Sequence, residues 1–244
     1  MMDTAVLKTL WKTISGNKLY NYNDFQSLIP AIELLFANAH NTFLKKDLKE
    51  VDCSKSKAML SKIQSKYGFE FEASFYENDT AKKMGLTDDV IHVLLAHKFT
   101  NVPSYIETVS YLIDQQLEYS RKFSEQYADP ANINKLLVAL VANEFGSSLL
   151  DLTAGAGGIV QQANDSFSFG SIYANELDAN IAYLGELKFV FNDQVVYHQS
   201  NALNLNLNEK VDAVAMVPPF GHRVNRTDLN SGCLLYTSPS PRDA

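Results

Sequence analysis

Two rhythms divide the chain. Up to about residue 126, apolar side chains recur every three or four positions, the spacing of one helical face. Between Asp24 and His40 the residues Phe25, Leu28, Ile29, Ile32, Leu35 and Phe36 share such a face, and Pro30 predicts that the regular helix starts near it. Thr87 reads as an N-cap, with Asp88 and Asp89 in the first turn, where carboxylates meet the positive end of the helix dipole, and Val90, Ile91, Leu94 and Leu95 following. From Pro103 to Phe123 the stripe Ile106, Val109, Leu112, Ile113, Gln116 and Leu117 predicts a long amphipathic helix packed on a core. A further helix is predicted from Ala131 to Phe145, closed by Gly146 as its C-cap.

After that the rhythm changes. SSLLDLTAGAGG is a short apolar run that breaks into glycines. GSIYANELD, QVVYHQSNAL and KVDAVAMVPPF each read as a short strand ending in polar or turn-forming residues, and ANIAYLGELKFVF between the first two has helical spacing. Strands alternating with helices predict an α/β fold with a mainly parallel, doubly wound sheet. The predicted organisation is a helical N-terminal region over 1–126, an α/β domain over 127–232 and a non-native tail over 233–244. The tail, Cys233 to Asp243, resembles an in-frame translation of an adapter used to prepare DNA sequencing libraries, and it is set aside from the fold. On that reading the natural chain is interrupted near Gly232 and its parent is longer.

Composition narrows the function classes. The 244 residues are 46% hydrophobic, enough for a substantial core, and no run approaches the ~18 apolar residues of a membrane span. The N-terminus lacks the basic and apolar regions of a secretory leader, which predicts a cytoplasmic protein. Two cysteines, Cys53 and Cys233, stand far apart without metal-ligand neighbours, so neither a disulfide framework nor a cysteine–zinc site is expected, and no metal. A net charge of −7 argues against unaided grip on nucleic acid. Lys45, Lys46, Lys49, Lys55, Lys57 and Lys62 read as a solvated helix face.

Candidate chemistry lies at four strand ends, where open α/β sheets bind ligands. In the first, Asp151 to Gly158, glycines let backbone approach a ligand, and Asp151 can accept hydrogen bonds from an amine or a held water. In the second, Glu176 can accept both hydroxyls of a ribose, while Asp178 suits the first turn of a helix. In the third, Asn201 can read an adenine amino group or close an Asx turn, and nearby His198 reads as an ordinary strand residue. In the fourth, Pro218 and Pro219 must end the strand after Val217, and Phe220 offers a flat face for a base.

In this order and spacing, the four corners resemble the adenine-N6 DNA methyltransferases, most closely the modification subunits of type I restriction–modification systems. Tyr127-Ala-Asp-Pro130 resembles the family's entry motif, Asp151 to Gly158 its cofactor loop, and Val217 to Phe220 its Asn-Pro-Pro-Phe corner. The resemblance covers roughly Tyr127 to Gly221 and only loosely the helical region before it. It implies a Rossmann-like domain whose sheet, complete, has about seven strands, of which about four are legible here. It further implies S-adenosyl-L-methionine as cofactor, held by Tyr127, Pro130, Asp151, Thr153, Gly155, Gly157, Glu176 and Asn201. Val217, Pro218, Pro219 and Phe220 would form the catalytic corner, acting on an adenine flipped from double-stranded DNA. A DNA-specificity subunit and a restriction subunit are the implied partners.

Three positions depart from the family pattern: Leu152 replaces a proline, Asn201 an acid, and Val217 the asparagine whose carbonyl accepts the target amine's hydrogen. The last opens the alternative of a catalytically impaired cofactor-binding or assembly subunit. A nicotinamide-dependent oxidoreductase is a remoter alternative, because a glycine loop followed by an acid also serves dinucleotides, and the diproline corner argues against it. Methylation of RNA or of protein glutamine is the remaining variant within the transferase class.

Overall fold

The computed structural model describes residues 3–17, 20–21, 24–46, 54–68, 83–120, 131–142, 148–167, 169–205 and 210–218. The chain divides into two compact units, Met1–Ala128 with Tyr183–Val195, and Asp129–Ala182 with Val196–Ala244. Thirteen residues from inside the predicted α/β region, Tyr183 to Val195, thus group with the helical one.

The first unit is built on helices α1 (Thr4–Ser15), α2 (Ile29–Lys45), α3 (Ser54–Tyr67), α4 (Asp88–Ala96) and α5 (Val102–Ser120). The local signals act where expected. Pro30 lies in the first turn of α2, where its missing N–H costs nothing, and Asp88 and Asp89 lie in the first turn of α4. Thr87 holds the N-cap position in extended backbone, but its side chain makes no capping bond. The core is aromatic. Phe191 is the hub, with the rings of Phe36, Phe43 and Tyr105 at centroid distances of 5.4, 5.4 and 5.2 Å. Tyr105 is fully buried, and its hydroxyl donates to the Leu187 carbonyl at 2.8 Å, so a polar tip is satisfied inside an apolar cluster.

Two departures from the solvated-lysine expectation stand out. Lys46 Nζ donates to the Phe99 carbonyl at 3.0 Å, and Lys55 Nζ to the carbonyls of Phe189 and Val195 at 3.1 and 2.8 Å. The ammonium groups satisfy main-chain acceptors in a loop, after the helix Ala179–Lys188 and at the start of the strand Val195–Gln199. Position on a helix told of exposure, not of the carbonyls brought opposite by folding.

Glu33 is fully buried in this unit and fully bonded. Its Oε1 accepts from Lys66 Nζ at 2.8 Å and from the Tyr183 hydroxyl at 2.9 Å, and its Oε2 from the Tyr67 hydroxyl at 2.6 Å. Burial, joined by the Glu33 carboxylate, pushes both phenols upward, so they stay protonated as donors.

The second unit carries α6 (Ala131–Val141), β1 (Ser148–Asp151), α7 (Gly158–Ser166), β2 (Ser171–Glu176), β3 (Val195–Gln199) and the short β4 (Ala213–Val214); α8 (Ala179–Lys188) follows β2. The strand order is β3-β2-β1-β4. β1 pairs in parallel with β2 on one side (Leu149 with Ile172) and with β4 on the other (Leu149 with Ala213). The α/β reading is borne out. The helix expected to reach Phe145 ends at Val141, and Gly146 lies outside the described residues. No helix among the described residues is long and apolar enough to cross a membrane.

Two outcomes test the first unit. Glu33→Ala removes the acceptor of three donors and is expected to cost about 3 kcal/mol in a urea melt, and Lys66→Ala, which leaves the buried carboxylate without its cation, a comparable amount. His40 is buried between aromatic rings, and desolvation, with the Lys57 charge, holds its folded pKa below the usual histidine value. A depressed folded pKa contributes stability above the unfolded value of about 6.5 that is lost as pH falls through the folded one. Urea melts of His40→Phe between pH 7.5 and 5 should therefore show a smaller loss than the parent.

Candidate functional site

In a parallel sheet every strand points its carboxyl end to the same edge, and here that edge carries the first three predicted corners and the described start of the fourth, Val217 and Pro218. The order reverses at β1, whose neighbours are β2 and β4, which places the glycine loop at the switch point. The β1–β4 pair is pinned at its other end. Asp212 Oδ2 accepts from the Ser148 N–H at 2.9 Å and the Ser148 hydroxyl at 2.8 Å, and the Asp212 N–H donates back to Ser148 Oγ at 3.0 Å.

The loop is built by positive φ. Gly155 and Gly157 lie at φ 54° and 86°, in the left-handed region that side chains with a Cβ avoid. Their turn closes with the Gly157 N–H donating to the Ala154 carbonyl at 2.8 Å. Gly157 is also the N-cap of α7 and brings no side-chain acceptor, so the positive end of that helix is capped by bare backbone. Asp151 is buried at the end of β1, and its Oδ1 accepts from the Thr153 N–H at 3.1 Å. Thr153 Oγ1 is a buried hydroxyl with no hydrogen-bond partner among the described residues.

Glu176 reaches across to this loop. Its Oε2 accepts from the Gly155 N–H at 2.9 Å, and its Oε1 from the Asp178 N–H at 2.9 Å. Asp178 in turn accepts from the first-turn amides of Asn180 and Ile181, as its predicted dipole role requires. Asn201 Oδ1 accepts from the Leu203 N–H at 3.0 Å, so the Asx turn is formed. His198 lies within β3. Val217 is partly exposed and Pro218 exposed, just past the Ala215 N–H that donates to the Leu150 carbonyl at 3.0 Å.

The structure thus bonds Asp151 to Thr153 and Glu176 to Gly155 within one loop region and sets Asn201, Val217 and Pro218 at neighbouring strand ends. Tyr127, Pro130, Pro219 and Phe220 lie outside the described residues.

Sequence reasoning missed two participants. Asn175, buried beside Glu176, bonds the tips of both flanking strands. Tyr197 on β3 has a phenol pushed well up by burial and by the negative charges of Asp151 and Glu176, so it stays neutral beside both acids. The signal for Asn175 was a polar residue at an inward strand position, next to an acid that drew attention first. For Tyr197 nothing local distinguished it from an ordinary strand tyrosine.

The sequence matches no established protein-family pattern and no curated protein. The fold is similar to two solved structures. One is a modification subunit of a putative type I restriction enzyme from Vibrio vulnificus YJ016, with 13% identity, a TM-score of 0.61, and coverage of 92% of this chain and 61% of that one. The other is the type I restriction-modification system methyltransferase subunit from Streptococcus thermophilus, with 13% identity, a TM-score of 0.57, and coverage of 88% and 63%. At this identity the likeness is one of fold, and the chain spans about three-fifths of the length of each neighbour.

The loop geometry has a direct test. Gly155→Ala forces a Cβ into positive φ with no compensating contact and should cost about 1 kcal/mol in a denaturant melt. At Gly158 a Cβ would stand 2.5 Å from Asn134 Nδ2, so Gly158→Ala should be tolerated only if that buried amide swings aside. Combining Gly158→Ala with Asn134→Ala should then recover most of any loss.

Proposed function

We propose that this chain is the cofactor-binding part of an S-adenosyl-L-methionine-dependent DNA methyltransferase that modifies the N6 amine of adenine, as the modification subunit of a restriction–modification system. The observation that carries this reading is the hydrogen bond between Glu176 and the Gly155 N–H at 2.9 Å, which joins an acceptor for ribose hydroxyls to the glycine loop before α7. The donor set fits the ligand. Glu176 is acceptor-only and suits a vicinal diol; the first turn of α7 suits the cofactor's carboxylate; Thr153 Oγ1 is a buried hydroxyl in want of a partner. With Asn201 Oδ1 engaged by Leu203, adenine would be addressed through Nδ2.

When bound, the cofactor would supply an electrophilic methyl group: the target amine would attack the methyl carbon, the thioether S-adenosylhomocysteine would leave, and the nitrogen would lose one proton. The chain's part is to hold that amine. The Pro218 carbonyl would accept one of its hydrogens, favouring the tetrahedral nitrogen that forms, and Phe220 would stack on the flipped base, offsetting an unstacking cost of a few kcal/mol. Val217 contributes no side-chain acceptor. The net charge of −7 suits a subunit that leaves sequence recognition to a DNA-specificity partner and cleavage to a restriction subunit, in the cytoplasm.

Val217 also favours a second reading, a subunit that binds the cofactor without transferring its methyl group. Absence of one preorganised partner for developing charge costs on the order of a hundredfold in rate. Calorimetry with S-adenosylhomocysteine and with NAD, followed by methylation of adenine-containing DNA by the chain and by Val217→Asn, separates the readings. The expected result is saturable binding of the former ligand and roughly hundredfold faster transfer in Val217→Asn at unchanged affinity. Binding without transfer in either protein favours the second reading, and preference for NAD overturns both.

A further inference from the structure

We infer that Asn175 is a positioning residue whose side-chain amide clasps the glycine loop to the tip of β3 and so fixes the spacing between the two ends of the bound cofactor. The inference rests on the cofactor reading above, but its grounds are the hydrogen bonds themselves. Asn175 is 1% exposed, at the penultimate position of β2, the strand lying between β1 and β3.

Its bonding capacity is spent on the two neighbouring tips. Nδ2 donates to the Leu152 carbonyl at 3.1 Å and to the Ser200 carbonyl at 3.0 Å, and Oδ1 accepts from the Ser200 hydroxyl at 2.7 Å. Its main-chain carbonyl accepts from the Ala154 N–H at 2.8 Å. The two carbonyls held by Nδ2 belong to the peptide groups that lead into Thr153 and Asn201. One side chain therefore fixes the peptide planes before a residue of the glycine loop and before the residue assigned to adenine. The adjacent Glu176, whose carbonyl accepts from the Ser200 N–H at 3.1 Å, stands between them for the ribose.

Only an amide of this length meets the demand. The site needs two N–H donors on one atom facing two carbonyl oxygens and an acceptor on the other atom facing a hydroxyl, which also settles the orientation of the amide. An aspartate has the shape and no donor, and a serine or leucine leaves two buried carbonyls without their partner.

The test compares isosteric pairs. Asn175→Asp replaces the donor atom by an oxygen and also adds a carboxylate beside Glu176, so it is read together with the uncharged Ser200 pair; Ser200→Val and Ser200→Thr share a shape and differ in the hydroxyl. For the full chain, binding of S-adenosylhomocysteine is measured by calorimetry, with a thermal melt on each variant. The expected result is at least ~tenfold weaker binding by Asn175→Asp, several-fold weaker binding by Ser200→Val, and recovery to within about twofold in Ser200→Thr. A folded Asn175→Asp that binds like the parent overturns the inference. If Asn175→Asp does not fold, the Ser200 pair decides: equal affinities for Ser200→Val and Ser200→Thr overturn the clasp, and a hydroxyl-dependent difference sustains it. A parent chain that fails to bind the ligand removes the cofactor reading itself, and this inference with it.

Discussion

Parallel pairing is the constraint from which the site follows. Strands that run the same way must end at the same edge, so β1, β2, β3 and β4 deliver their following residues to one place, whatever separates them along the chain. β1 is the strand on which this depends, since it pairs with β2 and with β4 and lies where the order reverses. The tips are then bonded laterally: Glu176 to Gly155, and Asn175 to Leu152 and Ser200. Those bonds convert a shared edge into a set of fixed positions, which binding of a small polar ligand requires.

The helical unit is stabilised by a different arrangement. An aromatic cluster around Phe191 supplies apolar burial, and the Glu33 group places a carboxylate inside the unit with every partner a hydrogen-bond donor. Such a group contributes little net stability, because desolvation offsets most of the attraction, but it admits one geometry. Tyr183, in α8 after β2, is bonded to an acid 150 residues earlier.

The parts legible in the sequence are those set by local physics. Pro30 marked the start of α2, Asp88 and Asp89 the start of α4, and the glycines at 155 and 157 the turn between β1 and α7. Asp151, Glu176 and Asn201 could be placed at strand ends because apolar runs stop there. The parts that were not legible depend on what folding brings opposite. Lys46 and Lys55 looked solvated because their carbonyl partners lie far off in sequence. Asn175 looked like a bystander to Glu176, since its partners come from the loop after β1 and the tip of β3. The helix from Ala131 was expected to run to Phe145 because the first stop signal after Val141 is Gly146, whereas the described helix ends at Val141.

The reciprocal bonds between Ser148 and Asp212 act on the corner from the opposite end of the sheet. They index β4 against β1, and the few residues from Ala213 onward then serve as a ruler of fixed gradation, about 3.3 Å per residue. Side chains alternate faces along a strand, so a single residue inserted or deleted between Asp212 and Ala215 would displace the corner that follows, even with every amino acid type retained. Length in that stretch is thereby as much a part of the site as chemistry.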